Sequence, residues 1–273
     1  GTSRVWKLAA RPDERFANME LPGMSVDSVL TLFERLHALA PRRSLTVYLG
    51  VEPFWFSQTA PSSSFEQPSL ESRLRLLAAA QTLDATLREV TRRPWDLASP
   101  PSRRTPQVVR TASGCLLDAD NAVRRGAANA WAMDGTFRYA YELNGTAEPR
   151  KDFLTAYLPR MRAPGVSRML VGQLRAALAY ARTAHWRVVG FTPPFAHRSL
   201  LRIEGDAGAA PLLASYRVAM PRVFGDYGFR YVDTIDARSV PCGETEFTED
   251  DGAHPDAACA ARLRKRLDAA ARS

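Results

Sequence analysis

The strongest constraint on the fold is an alternation of two kinds of segment. Leu45 to Val51 (LTVYLGV), Trp186 to Thr192 (WRVVGFT) and Phe229 to Thr234 (FRYVDT) are short runs dominated by apolar residues. A strand without a consistently polar face is a strand covered on both sides, as in parallel sheets wrapped by helices. Between these runs, apolar residues recur at three- and four-residue steps. Val26, Val29, Leu30, Phe33, Leu36 and Leu39 predict a helix with Ser25 as its N-cap and Pro41 closing it. Leu170, Leu174, Ala177, Leu178 and Ala181 predict a second, residues 209 to 227 a third, and residues 256 to 271 a C-terminal one. This order predicts an α/β fold, a doubly wound and mostly parallel sheet.

Between residues 57 and 150 the rhythm breaks. Residues 57 to 68 are rich in Ser, Pro and Gln and read as a loop; Leu74, Leu77, Leu83 and Leu87 predict a helix from about 70 to 90. From Arg92 to Arg110 the chain carries four prolines, which forbids regular structure for long. Residues 129 to 139 read as an irregular stretch with a short hairpin turning at Asp134-Gly135. The expectation is one domain over 1–273, with 57–150 as an elaboration of it. At 273 residues and 45% hydrophobic, such a chain buries a core without metals or disulfides.

Formal net charge is +8, yet the arginines are scattered, as at Arg42-Arg43, Arg92-Arg93, Arg103-Arg104 and Arg124-Arg125. Without a long basic run or a recognisable module, nucleic acid is not an expected partner. Dispersed positive charge suits an acidic polysaccharide or an anionic membrane surface better. Cys115, Cys242 and Cys259 show no zinc-ligand spacing. Cys242 and Cys259 either pair, in an exported protein, or remain small buried thiols. No Walker loop, GxGxxG or metal-ligand cluster is present, so no cofactor is expected. No run of 18 apolar residues is long enough to span a bilayer.

Two short motifs carry chemistry. Asp251-Gly252-Ala253-His254-Pro255 precedes the last helix, with an Asp three residues ahead of a His across a glycine turn. Such a carboxylate can accept the imidazole Nδ1–H, fixing the tautomer and stabilising the imidazolium. The blander reading is a helix N-cap beside a surface histidine. At the other end stands Gly1-Thr2-Ser3-Arg4. A serine just after a first strand would lie at the carboxyl end of an open sheet, where active sites collect. The alternative for Ser3 is a terminal residue without a role.

Together these blocks resemble the SGNH hydrolase superfamily, in the branches linked to cell-envelope polysaccharide acylation. Gly1-Thr2-Ser3-Arg4 is similar to the nucleophile block, Pro22-Gly23 to the glycine block, and Asp251 to Pro255 to the Asp-x-x-His-Pro block. The third block, usually Gly-x-Asn, reads Gly50-Val51-Glu52 here. The resemblance implies a flavodoxin-like three-layer sandwich with Ser3, Asp251 and His254 as the catalytic triad. Oxyanion donors would be the backbone N–H groups of Ser3 and Gly23, with the Arg4 guanidinium as a third. Glu52 departs from the pattern, because a carboxylate accepts hydrogen bonds where the asparagine would donate one. The implied activity is an ester hydrolase or O-acyltransferase on acylated, especially acetylated, carbohydrate or a small ester. The alternative is a catalytically weak, polysaccharide-binding relative within an envelope assembly. The resemblance also implies a periplasmic or envelope location, an upstream anchor or export segment before Gly1, and a membrane-bound acyl-transfer partner.

Further residues admit two readings each. His197, after Pro193-Pro194-Phe195 at a strand end, either lines the cleft or is a surface loop residue. Trp55 and Phe56 either form a sugar platform or pack in the core. Trp131, Asp134 and Gly135 either shape the cleft, as in polysaccharide-linked relatives, or make a hairpin. His37 and His185, on or just after helical patterns, suit packing or solvation.

Overall fold

The computed structural model describes Leu8, residues 25–39, 41, 44–57, 153–248 and 252–273, and the backbone of 108–111, 114–118, 130–132 and 137–138. The chain divides into two compact units, one comprising 1–5, 21–64 and 149–273, the other 6–20 and 65–148. The long segment of the second unit falls within the 57–150 stretch. The expected loop at 58–68, the helix over 70–90 and the Pro22-Gly23 turn lie outside the described residues.

The first unit is mixed α/β. Its helices are α1 (Asp27–Leu39), α2 (Phe153–Met161), α3 (Arg168–Thr183), α4 (His197–Gly205), α5 (Ala210–Gly225) and α6 (Ala257–Arg272). Three strands, β1 (Thr46–Gly50), β6 (Arg187–Phe191) and β7 (Arg230–Val232), form a parallel sheet in the order β1-β6-β7. Tyr48 pairs with Val189 and Leu49 with Gly190, so alternation sends Tyr48 and Gly190 to opposite faces. The Tyr48 hydroxyl donates to Asp268 of α6 (2.6 Å), and the Arg264 guanidinium lies 4.8 Å from the Tyr48 ring while its Nε donates to Asp268 (2.9 Å). On the other face, the Phe224 ring of α5 lies against Gly190, where any β-carbon would come within 2.3 Å of it. Helices therefore cover both faces, which is why these strands lack a polar side.

The core follows the helical periodicities. Val29, Phe33, Leu174, Ala177, Leu178 and Ala181 are buried where α1 meets α3, and the Phe33 ring meets Trp186 edge-on at 5.5 Å. Leu170, expected with this set, is half-buried. The Ser25 hydroxyl bonds the Asp27 carboxylate in the first turn of α1. His37 packs its ring beside Tyr180 and Trp186, and His185 takes a positive φ (55°) just past α3.

In the second unit, β2 (Val108–Thr111), β3 (Gly114–Asp118), β4 (Ala130–Ala132) and β5 (Phe137–Arg138) form an antiparallel sheet in that order. Trp131 pairs with Phe137, which makes a hairpin around the Asp134-Gly135 segment; those two residues lie outside the described set. The β2–β3 pair was not anticipated, because the prolines up to Pro106 obscure Val108-Val109 as a strand start.

Near the C-terminus, β8 (Phe247–Thr248) pairs antiparallel with β9 (His254–Pro255). Cys242 and Cys259 form a disulfide (Cα–Cα 5.3 Å), which resolves the two readings in favour of pairing.

Candidate functional site

The carboxyl ends of the three parallel strands are joined by polar contacts. Val51 N–H extends β1 by donating to the Phe191 carbonyl (2.8 Å). Beyond it, Tyr216 of α5 donates its hydroxyl to the Val51 carbonyl (3.0 Å) and meets the Thr192 hydroxyl at 2.7 Å. Thr192 in turn contacts the Tyr231 hydroxyl of β7, and Thr234 donates to the Thr192 carbonyl. Burial pushes the Tyr216 phenol well above its ordinary pKa, with the nearby Tyr231 and Glu52 adding to it. Tyr231 is raised too, chiefly by burial, although its bonds to Thr192 and Tyr216 oppose this.

Glu52 follows Val51 and is fully buried. Its backbone is extended, and its carbonyl accepts from Trp55 N–H (3.1 Å) as the chain enters a short 3-10 turn over Pro53–Phe56. Tyr157 of α2 donates its hydroxyl to Glu52 Oε2 (3.2 Å), and its ring packs edge-on against Phe54 and Phe195. The Glu52 carboxylate is therefore engaged within the core, not displayed at an open surface. Trp55 and Phe56 are also fully buried. A ring with no exposed face cannot stack on a pyranose, so this arrangement suits core packing and not a sugar platform.

After β6, Phe195 N–H donates to the Ile235 carbonyl (2.8 Å) and Ala237 N–H to the Phe195 carbonyl (2.9 Å), a parallel bridge between Phe195 and Asp236. The bridge brings His197 beside Asp236, with Nδ1 3.3 Å from Oδ2; the approach is close without being an aligned hydrogen bond. His197 is the first residue of α4 and partly exposed, not a loop residue as one sequence reading had it. Asp236 also accepts from the Arg238 backbone N–H (2.9 Å) and the Arg238 guanidinium (2.7 Å). Burial tends to raise its pKa, but the Arg238 bonds and the charge of His197 outweigh that and hold it below the usual carboxylate range.

The segment carrying His254 docks on this same strand end. Ala196 N–H donates to the Gly252 carbonyl (2.7 Å). Gly252 takes a φ of +60°, and a β-carbon on it would come within 1.9 Å of Ser199 Oγ. Only glycine reconciles that torsion with that approach. Ala253 is fully buried, and half-buried His254 pairs with Thr248 in β9. Asp256, not an earlier aspartate, caps α6 by accepting from Cys259 N–H (2.8 Å).

His254, Glu52, His197 and Trp55 are thus placed on the elements at or beside the carboxyl end of the sheet. Ser3, Arg4, Gly23 and Asp251 lie outside the described residues, as does the Trp131 side chain. Sequence reasoning missed Asp236, Tyr157 and the Thr192–Tyr216–Tyr231 chain. Asp236, just beyond a strand in the run Asp233-Thr-Ile-Asp236, was the one with a usable signal. Among the described residues, no group of three His, Cys, Asp or Glu side chains is arranged to hold a metal, and no helix is long and apolar enough to cross a membrane. No protein-family model matches the chain, and neither does a curated protein or a solved structure.

Proposed function

We propose that this chain is an SGNH-type serine ester hydrolase or O-acyltransferase with a doubly wound three-layer core. Ser3 is its nucleophile, His254 its general base and Asp251 the carboxylate that orients His254. The observation that carries the reading is the Ala196 N–H to Gly252 carbonyl bond (2.7 Å). It fastens the motif bearing His254 to the carboxyl end of a parallel sheet, where open α/β folds assemble their active sites.

In this reading His254 takes the proton of the Ser3 hydroxyl as its oxygen attacks an ester carbonyl. The tetrahedral intermediate collapses to a Ser3 acyl ester, and the leaving alcohol departs with the proton held by His254. Water or a sugar hydroxyl then attacks the acyl ester, losing its proton to His254, and Ser3 is restored. Water makes the chain an esterase; a sugar makes it a transferase, working with a membrane-bound acyl-transfer partner. The Cys242–Cys259 disulfide supports an oxidising, periplasmic or envelope location. The substrate class is acylated carbohydrate or a small ester.

Turnover of p-nitrophenyl acetate tests this. Ser3→Ala and His254→Ala are expected to lower kcat by roughly a hundredfold to ten-thousandfold; rates equal to the unaltered chain overturn the serine mechanism. Buried Glu52, standing where the resembling family supplies an asparagine donor, favours a second reading, a polysaccharide-binding protein with little turnover. Glycan-array binding that survives Ser3→Ala, with no esterase activity, selects it.

A further inference from the structure

The disulfide closes a covalent ring around the motif assigned to proton transfer. Cys242 and Cys259 are 17 positions apart, and everything from Gly243 to Ala258, including Asp251 and His254, lies between them. At one end, Cys242 finishes the segment after β7 that begins with Asp236; its N–H donates to the Ala237 carbonyl (3.1 Å). At the other, Cys259 is in the first turn of α6, directly beyond β9. Both cysteines are buried.

The non-covalent ties on this ring include a short ladder and single hydrogen bonds, one of them from the Arg198 N–H near the start of α4 to the Glu244 carboxylate (3.1 Å). The β8–β9 ladder has two residue pairs, Phe247 with Pro255 and Thr248 with His254. Asp256 N–H donates to the Glu246 carbonyl (2.8 Å), Gly243 N–H to the Glu246 carboxylate (2.7 Å), and Arg262 bonds the same carboxylate. Ala196 N–H meets the Gly252 carbonyl. So short a hairpin is not stable alone in water. By contrast, α6 is anchored on the sheet through Tyr48, Arg264 and Asp268, at positions beyond the ring.

We infer that the Cys242–Cys259 bond is a redox latch: it holds the His254 segment against the β6 strand end, and its reduction releases that segment while the sheet and its helices stay folded. The inference rests on the proposed role of His254. The chemistry is two-electron exchange. A dithiol reductant attacks the protein disulfide, gives up two electrons and two protons, becomes a cyclic disulfide, and leaves the Cys242 and Cys259 thiols. Reoxidation by glutathione disulfide reverses it, the two protons and two electrons passing to two glutathione thiols.

Hydrogen exchange read by mass spectrometry, alongside p-nitrophenyl acetate turnover, tests the latch on the full chain, oxidised and after dithiothreitol. The Cys242→Ala/Cys259→Ala double variant reports on the same state without reductant. In the reduced protein and the double variant, amides of 244–248, of 252–256 and of Ala196 are expected to lose protection while those of Arg187–Phe191 keep theirs. Turnover should fall by about a hundredfold, the cost of a misplaced catalytic group, and return when glutathione disulfide restores the bond. Unchanged protection over 244–248 and 252–256 overturns the latch, and so does loss of protection across the sheet, which would make the disulfide a support for the whole unit. The expected local protection changes with no turnover in either redox state would retain the latch as a conformational device while removing the esterase reading beneath it.

Discussion

Gly252→Ala probes the contact on which the proposed site depends. The glycine sits at φ +60°, and a β-carbon there would lie 1.9 Å from Ser199 Oγ, 2.9 Å from Ser199 Cβ and 3.2 Å from Ala196 Cβ. Two costs follow. A left-handed torsion at a residue with a β-carbon costs about 1–2 kcal/mol, and forcing extra volume into a packed contact costs about 1–3 kcal/mol. If both are met in place, the expected destabilisation is about 2–5 kcal/mol, at the upper end of what single substitutions do. The 252–254 segment can instead move away from Ala196, and then stability falls less while turnover falls more. Denaturant midpoints at constant slope measure the first outcome, and ester turnover the second. Ser199→Ala removes the oxygen at 1.9 Å but leaves the torsion untouched. The double variant should therefore recover part of the loss, with a coupling above about 0.5 kcal/mol. A Gly252→Ala protein with stability and turnover both unchanged, or strict additivity with Ser199→Ala, would refute the close approach of these two segments.

Three further outcomes follow from the geometry. Gly190→Ala should destabilise by about 1–3 kcal/mol, because its methyl would meet the Phe224 ring at 2.3 Å; thermal unfolding checks it. Asp256→Ala removes the cap on Cys259 N–H and should cost about 0.5–2 kcal/mol, read by denaturant unfolding, with Asp256→Asn retaining most of the stability. Tyr216 and Tyr231 have raised phenol pKa values in the folded chain. Above about pH 10 the unfolded chain loses those protons first and so binds fewer of them. Their contribution is present in full below that pH and is lost above it. Stability measured from about pH 9 to 12 should fall, and Tyr216→Phe should flatten the fall.

The parallel strands were legible because burial on both faces leaves a local signature. The runs at 45–51, 186–192 and 229–234 contain β1, β6 and β7, trimmed by a residue or two at their ends. Helices α1 and α3 followed from their apolar period, and α5 and α6 fall within a residue or two of the ranges expected for them. Helix α2 was missed because its nine residues, with Pro159 among them, give too short a period to read, and α4 buries only Ser199, Leu200 and Ile203 in a nine-residue span. The Asp251-to-Pro255 motif was legible as a turn before the last helix because a glycine and a proline punctuate it, and Gly252 takes a positive φ (60°). Its supports were not legible. Tyr157 meets Glu52 across 105 residues and Tyr216 meets Val51 across 165; no local pattern encodes such pairings. The fate of Glu52 was equally hidden, since a carboxylate's neighbours, not its position after a strand, decide whether it faces a cleft or the core.

The hydroxyl chain at the strand ends has a fixed polarity. Each hydroxyl carries a single proton, and Tyr216 commits its own to the Val51 carbonyl. Thr192 must then donate to Tyr216, and Tyr231 to Thr192, so the arrow runs from β7 through the loop after β6 to the end of β1. Removing Tyr231 takes away only the first link, because both hydroxyls beyond it keep acceptors for their protons. Removing Thr192 cuts the line in the middle and leaves the Tyr231 proton only the longer contact to the Tyr216 hydroxyl (3.3 Å). The three strands are thereby joined by a directional seam whose middle position tolerates substitution least.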